Sequence, residues 1–422
     1  MSLLRNARQV YQDFSPHFWT LVGASFIDRL GGALIFPFFS LYVTHKFGIG
    51  MTQVGLLFAV YSISSMVGSF IGGGLTDRFG RKAIVIFGLL TSALSMLGMG
   101  LVNQARWFAF FLVIAGLLSD TAGPAQQAMV VDLVGEDKRA QGFAIQRVNA
   151  NLAVTLGPMI GGLLAARSYL LLFVADAIAS TLTALVVLLA LPETRSVSAA
   201  SKAEKGLNQT FQGYSRVLRD RLYMAFLMVA MLTTVVYMQM NTTLSVYLRD
   251  VHNVPPQGFG YILSLNAGMV VLFQFWITRK IGKRPPLLVT AAGTALYAVG
   301  FAMYGFVSAY LLFLLAMAII TIGEMLVIPA SSALVAHFAP EEMRGRYMAI
   351  YGFSWVIPSA VGPTLAGLIM DHFDPRWVWW AAGLVGMAAA VGYAWLHARM
   401  GVNEWEEQIS ESGRLSAKGE SE

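Results

Sequence analysis

Three acidic side chains stand in the middle of long apolar runs: Asp28 within FIDRLGGALIFPFF, Asp120 within GLLSDTAGPAQQ and Glu324 within ITIGEMLVIP. A lone ionised side chain at the centre of a bilayer costs about 2.5–3.5 kcal/mol on insertion scales, so each needs a partner or a function. The chemistry open to such a group is proton exchange, because desolvation brings the charged and neutral forms close in free energy near neutral pH. Glu324 is the first candidate, since no Lys or Arg lies elsewhere in its run to neutralise it. Asp28 is the second; the alternative is a static ion pair with Arg29 or Arg147. Asp120 is either a ligand for a cationic molecule or a polar packing residue. Other chemistries find no residues. The chain has no cysteine, which excludes disulfides, thiolate nucleophiles and iron–sulfur clusters. It has no G-x-x-x-x-G-K-[ST] loop for a nucleotide, and its 6 histidines fall near run ends or in connections, with no H-E-x-x-H metal pattern. An enzyme is not expected, nor any cofactor or metal.

The runs that carry these acids dominate the 422 residues, which are 56% apolar and only 12% charged. Mean hydropathy is +0.63, and a soluble chain carries about 25% charged residues. Runs of about 20 apolar residues are long enough to span a bilayer as helices. Twelve such runs occur: residues 18–43, 54–75, 83–102, 108–131, 143–166 and 169–191, then 223–248, 259–278, 287–306, 310–335, 348–370 and 377–396. Alternating strand patterns are absent, so a β-barrel is not expected. The expected fold is an all-α membrane protein with two six-helix bundles, at 18–191 and 223–398. A short segment, 1–17, precedes them and carries no cleavable signal pattern.

Of the 29 Lys and Arg, 22 lie in the termini and the connections on their side, and 5 on the other side. Positive charge marks the cytoplasmic face, which places both termini inside. The pI near 9.4 is therefore an orientation signal and not a footprint for nucleic acid. The linker 192–222 ends in NQTFQGYSRVLRDRL, where Phe211, Tyr214, Leu218 and Leu222 have helical spacing and suit an interfacial helix. Residues 399–422 are expected to form a cytoplasmic polar tail, Ser/Glu-rich and disordered after Trp405.

The halves repeat at a nearly fixed offset. SLYV at Ser40 matches SVYL at Ser245, GPMIGG at Gly157 matches GPTLAG at Gly362, and Pro124 matches Pro329, each 205 residues apart. GEDKRAQ at Gly135 likewise matches PEEMRGR at Pro340, and DRFGRK at Asp77 matches RKIGKR at Arg279 with the offset slipped to 202. Parallel repeats of this kind place a binding site at the interface between halves, near the midplane.

The connection after the second run reads GGGLTDRFGRK, with Gly73, Asp77, Arg78, Gly80, Arg81 and Lys82 at fixed positions. Gly73 suits a close helix approach, Gly80 a tight turn, Asp77 the positive end of a neighbouring helix and Arg81 a carboxylate, for which Asp132 is the candidate. This segment resembles the G-x-x-x-D-R-x-G-R-K signature of the major facilitator superfamily, and twelve runs in a six-plus-six repeat extend the likeness over the whole chain. The resemblance implies that this cluster forms a cytoplasmic gate. Arg279 stands at the acidic position of the second copy, which departs from the pattern. Gly157, Pro158, Gly161 and Gly162 resemble part of the antiporter signature of the drug/proton antiporter branch, where Gly-Pro permits a bend; Ala153 stands where the longer form has glycine. The branch's R-x-x-Q-G motif has no counterpart in the fourth run.

The resemblance further implies that the first, fourth, seventh and tenth helices line a central cavity. Asp28, Asp120 and Glu324 lie on three of these, whereas Asp176 lies on a helix expected to be peripheral. Phe36, Phe38, Tyr42, Tyr237, Asn241, Asn266, Tyr351 and Trp355 are candidates for its lining, and aromatic faces with a few carboxylates suit lipophilic cations. The expected activity is proton-coupled export of small amphipathic or cationic molecules by a multi-pass protein of the bacterial cytoplasmic membrane. It would act as a monomer, with protons as the coupling ion. The alternative is a proton-coupled transporter of a sugar, anionic metabolite or lipid-like molecule, toward which Arg29 and Arg147 would point.

Overall fold

The structure, a computed structural model, describes residues 11–135, 138–194, 215–282, 284–340 and 343–400. Most of the linker, with Phe211 and Tyr214, and the polar tail lie outside the described residues. Of the expected interfacial helix, residues 215–219 are helical.

The first run becomes α1 (Pro16–Ile35), a 3-10 turn Phe36–Phe38 and α2 (Phe39–Phe47). Ser15 caps α1 by accepting from the Phe18 N–H at 3.2 Å, with Pro16 at the first helical position. Pro37 has no N–H to continue the ladder, and the helix tightens there. Next come α3 (Met51–Phe79), α4 (Arg81–Leu101), α5 (Ala105–Ile114), α6 (Ala122–Leu133), α7 (Arg139–Arg167) and α8 (Leu170–Ala190). Between α5 and α6, residues 115–119 form a π-helical turn that ends at Asp120. The second half comprises α9 (Arg221–Thr242), α10 (Leu244–His252), α11 (Pro256–Ile281), α12 (Pro286–Tyr304), α13 (Tyr310–Phe338), α14 (Arg344–His372) and α15 (Arg376–Met400). No strand occurs among the described residues. Together these helices supply 12 stretches long and apolar enough to cross a membrane, at the expected places.

The chain divides into two compact units, Met1–Glu204 with Asn241–Ser264, and Lys205–Met240 with Leu265–Glu422. In the first, Phe14 and Phe18 stack at 4.6 Å in a core with Val85, Leu89, Met129, Val130 and Val187. In that unit α10 packs on α2, where the Arg249 guanidinium donates to Thr44 Oγ1 at 3.0 Å. In the second, Tyr223, Phe226, Tyr347 and Tyr393 form the core, and the Tyr223 hydroxyl donates to the Tyr347 carbonyl at 2.6 Å. Large apolar side chains point outward, Phe70 at 86%, Trp276 at 77% and Leu311 at 76% exposure. Outward apolar side chains in such number suit lipid rather than water. Because lipid is as apolar as leucine, helix association relies on close backbone approach. Glycines supply it: α7 meets Ala33 of α1 at Gly157, where any Cβ would collide.

Candidate functional site

In the second unit, Glu324 sits midway along α13 and is 9% exposed. Its Oε1 accepts from the Tyr237 hydroxyl of α9 at 3.1 Å and its Oε2 from the Asn266 amide of α11 at 2.7 Å. Asn266 also donates to Thr321 Oγ1 at 3.0 Å, one turn before Glu324. The Trp355 ring of α14 meets Tyr237 edge-on at 5.9 Å. Three of the expected lining residues thus gather about Glu324, Tyr237 and Asn266 on its carboxyl group and Trp355 behind Tyr237. Tyr351 stands apart, stacked on Phe226 at 6.1 Å. Thr321 is a partner that the sequence analysis missed; its position i−3 from Glu324 on one helix was the available signal.

The first unit holds the other carboxylates. Asp28 makes neither of the ion pairs considered for it; its Oδ1 accepts from Ser180 of α8 at 3.2 Å. Asp120 accepts from Tyr61 and Ser65 of α3, two partners the sequence analysis did not find. Asp176, on a helix expected to be peripheral, is 2% exposed, lies against Gly31 of α1 and is within electrostatic reach of Asp28. One oxygen of Asp120 and one of Asp176 are buried without a hydrogen-bond partner. The π turn explains the setting of Asp120, since the extra residue turns its side chain relative to the α5 register, as π-bulges often do at functional sites.

The remaining lining candidates of this unit differ in setting. Phe38 is fully buried against Phe259 at 5.7 Å. Tyr42 is buried with its hydroxyl donating to the Met99 carbonyl at 2.9 Å. Both are packed interior residues. Phe36 lines a small apolar cavity of about 130 Å3 with Phe39, Phe58 and Tyr61, and Asn241 is half-buried near the end of α9.

At the start of α4, Gly80 has φ +92°, the left-handed region that a tight turn needs. Arg81 Nε lies 3.0 Å from Asp132 Oδ2. Its N–H finds no acceptor in line, so the contact is a charge pair rather than a hydrogen bond. Asp132 also accepts from Thr194 Oγ1 at 3.0 Å. The Asp77 side chain lies outside what the structure describes. The carboxylate at the positive end of α4 is Glu193, which accepts from the Arg81 and Lys82 N–H groups at 2.9 and 3.2 Å. Lys82 Nζ donates to the Leu188 and Leu191 carbonyls at 2.7 Å each. Arg78 is exposed and lies over the Phe79 ring at 5.4 Å. Gly73 does not serve a close approach: a Cβ there meets nothing within 4 Å, whereas Gly68 and Gly72 press on the backbone of Leu117 and Thr121. In α7 the helix runs unbroken through Pro158, while Gly161 and Gly162 abut Leu34 of α1 and Gly260 of α11. These small residues serve packing.

The profile described as Major Facilitator Superfamily matches residues 21–363, and again residues 326–418. A Na(+), Li(+), K(+)/H(+) antiporter of Planococcus maritimus is 27% identical over 405 residues, covering 89% of this chain and 94% of that protein. The Multidrug resistance protein MdtH of Shigella flexneri is 21% identical over 373 residues, covering 87% and 90%. Among solved structures, nucleoside transporter NupG superposes with a TM-score of 0.74 at 13% identity, covering 91% of this chain and 99% of that one. A POT family transporter in complex with 5-aminolevulinic acid gives 0.71 at 16%, covering 89% and 94%. At these identities the likeness to the two structures is one of fold.

Proposed function

Because this chain belongs to the Major Facilitator Superfamily, we propose that it is a proton-coupled antiporter that exports small amphipathic or cationic molecules by alternating access across a bacterial cytoplasmic membrane. Being a multi-pass transporter rather than an enzyme follows from the family; the coupling ion, the cargo, the monomeric state and the cytoplasmic placement of both termini are part of the proposal. The observation that carries it is the setting of Glu324. Its two partners suit both protonation states. The carboxylate accepts from the Tyr237 hydroxyl and the Asn266 amide. The carboxylic acid can give its proton to the Tyr237 oxygen, because a phenol both donates and accepts, while Asn266 goes on donating to the other oxygen. A buried group satisfied in both forms can gain and lose a proton without repacking its surroundings.

The energetics are sufficient. One charge moving through about 100 mV yields about 2.3 kcal/mol, and half a pH unit adds about 0.7 kcal/mol. For an uncharged cargo they together support about a hundredfold gradient per proton, whereas a monovalent cation exchanged for one proton moves no net charge and draws on the pH term alone. The Gly80–Lys82 turn, with Asp132 and Glu193, is read as the cytoplasmic gate of this cycle.

Glu324→Gln keeps the shape and both hydrogen bonds but removes the titration. In proteoliposomes with an imposed pH gradient it should abolish proton-driven efflux of a lipophilic cation such as ethidium, with folded yield retained. Unaltered efflux would remove Glu324 from the mechanism.

A second reading is exchange of alkali cations for protons. The antiporter relative bears that name, and the first unit holds Asp120 and Asp176 with unpartnered buried oxygens. In everted vesicles monitored with a pH-sensitive dye, sodium chloride should leave the gradient intact under the first reading and collapse it under the second.

A further inference from the structure

The first unit contains a cavity of about 410 Å3 bounded by α1, α6 and α7, within the roughly 300–1,000 Å3 typical of ligand pockets. Arg29, Gln126, Gln127, Phe143, Gln146 and Arg147 are among its lining residues, and no acidic side chain lines it. All lie inside membrane spans. Arg29 is 13 residues into the span Pro16–Phe47, and Arg147 is 6 residues into the span Gln141–Arg167. At 1.5 Å per residue these depths are about 20 and about 9 Å. Both are measured from the ends that carry the basic connections.

Neither arginine forms an ion pair among the described residues. Arg29 feels the charge of Asp28, but the Asp28 hydrogen bond goes to Ser180 and no ion pair forms. Arg147 makes no hydrogen bond or ion pair among the described residues. Arg29 and Arg147 are both exposed into this cavity, and two like charges in one cavity repel each other until an anion lies between them. Their forks match the planar oxygens of a carboxylate or phosphate. Three glutamine amides add neutral donors, and Phe143 supplies an apolar wall.

We propose that this cavity binds the oxyanion of a small organic acid, with Arg29 and Arg147 as its charge partners. The molecules this transporter accepts therefore include organic anions. The inference goes beyond the proposed coupling and does not use Glu324, so the two can fail separately.

The test is equilibrium binding to the full chain, with 1-naphthoate and benzoate as probes and the uncharged 1-naphthamide and benzamide as references. In phosphatidylcholine nanodiscs, at least one acid should bind about tenfold or more tightly than its amide, the scale of one lost charge-assisted hydrogen bond. Inorganic phosphate should compete. Arg147→Gln and Arg29→Gln should each erase the preference, and Arg147→Lys should restore part of it. Thermal unfolding verifies that each variant is folded. Equal binding of acids and amides, or a preference that survives both glutamine substitutions, would overturn the proposal. So would loss of binding in phosphatidylglycerol nanodiscs, since the occupant would then be a lipid headgroup.

Discussion

Glu193 serves as the N-terminal cap of α4, with one oxygen for each of two backbone N–H groups. A cap is worth about 0.5–2 kcal/mol and a carboxylate at a helix N-terminus about 0.3–1 more. Glu193→Ala should therefore lower thermal stability in detergent by about 1–2 kcal/mol, with Glu193→Gln closer to the native chain. Gly80→Ala should cost at least as much, because φ +92° is strained for any side chain and a Cβ would strike the Glu193 carboxylate. A stability equal to that of the native chain would refute this account of the turn. The cap was not legible in the sequence, because Glu193 is 112 residues from Arg81. The isolation of Glu324 was legible, because it needs only the absence of Lys and Arg from one run. The way Tyr237 and Asn266 converge on it was not, because that depends on how three helices turn toward one another.

The twelve spans were legible because crossing a bilayer is a statement about length and composition. Faces were not. A span that is apolar all round has no periodic stripe to mark its packed side, so the sequence does not separate Gly73 from Gly68 and Gly72, which make the close contact. The correction has a test. Gly73→Ala should be neutral or stabilising by about 0.5–1 kcal/mol, since the added methyl meets nothing and alanine is the better helix former. Gly72→Leu should sharply reduce folded yield in a detergent gel-filtration assay. The π turn at residues 115–119 was equally hidden, since one surplus residue leaves hydropathy unchanged while it resets the direction of Asp120. The burial of Asp176 was hidden for a related reason: a helix's place around a cavity does not decide the burial of each side chain on it.

The repeat made the architecture readable, since five matched segments at nearly one spacing imply two similar bundles. It did not reveal that residues 241–264 group with the first unit. Orientation remains a proposal with a direct check. Protease added to right-side-out vesicles should spare tags on both termini and remove them only after permeabilisation.

The tie between α4 and α8 has a dynamic consequence. Lys82 occupies carbonyls of the last turn of α8, while Glu193, just past that turn, occupies the first amides of α4. Each strut is anchored in the other's frayable end, so the two ends must loosen as one event. Deuterium uptake at both should follow a single shared rate, and Lys82→Met should quicken the two equally. The unit would then have a rivet at that corner, and any flexing would have to find its hinge elsewhere.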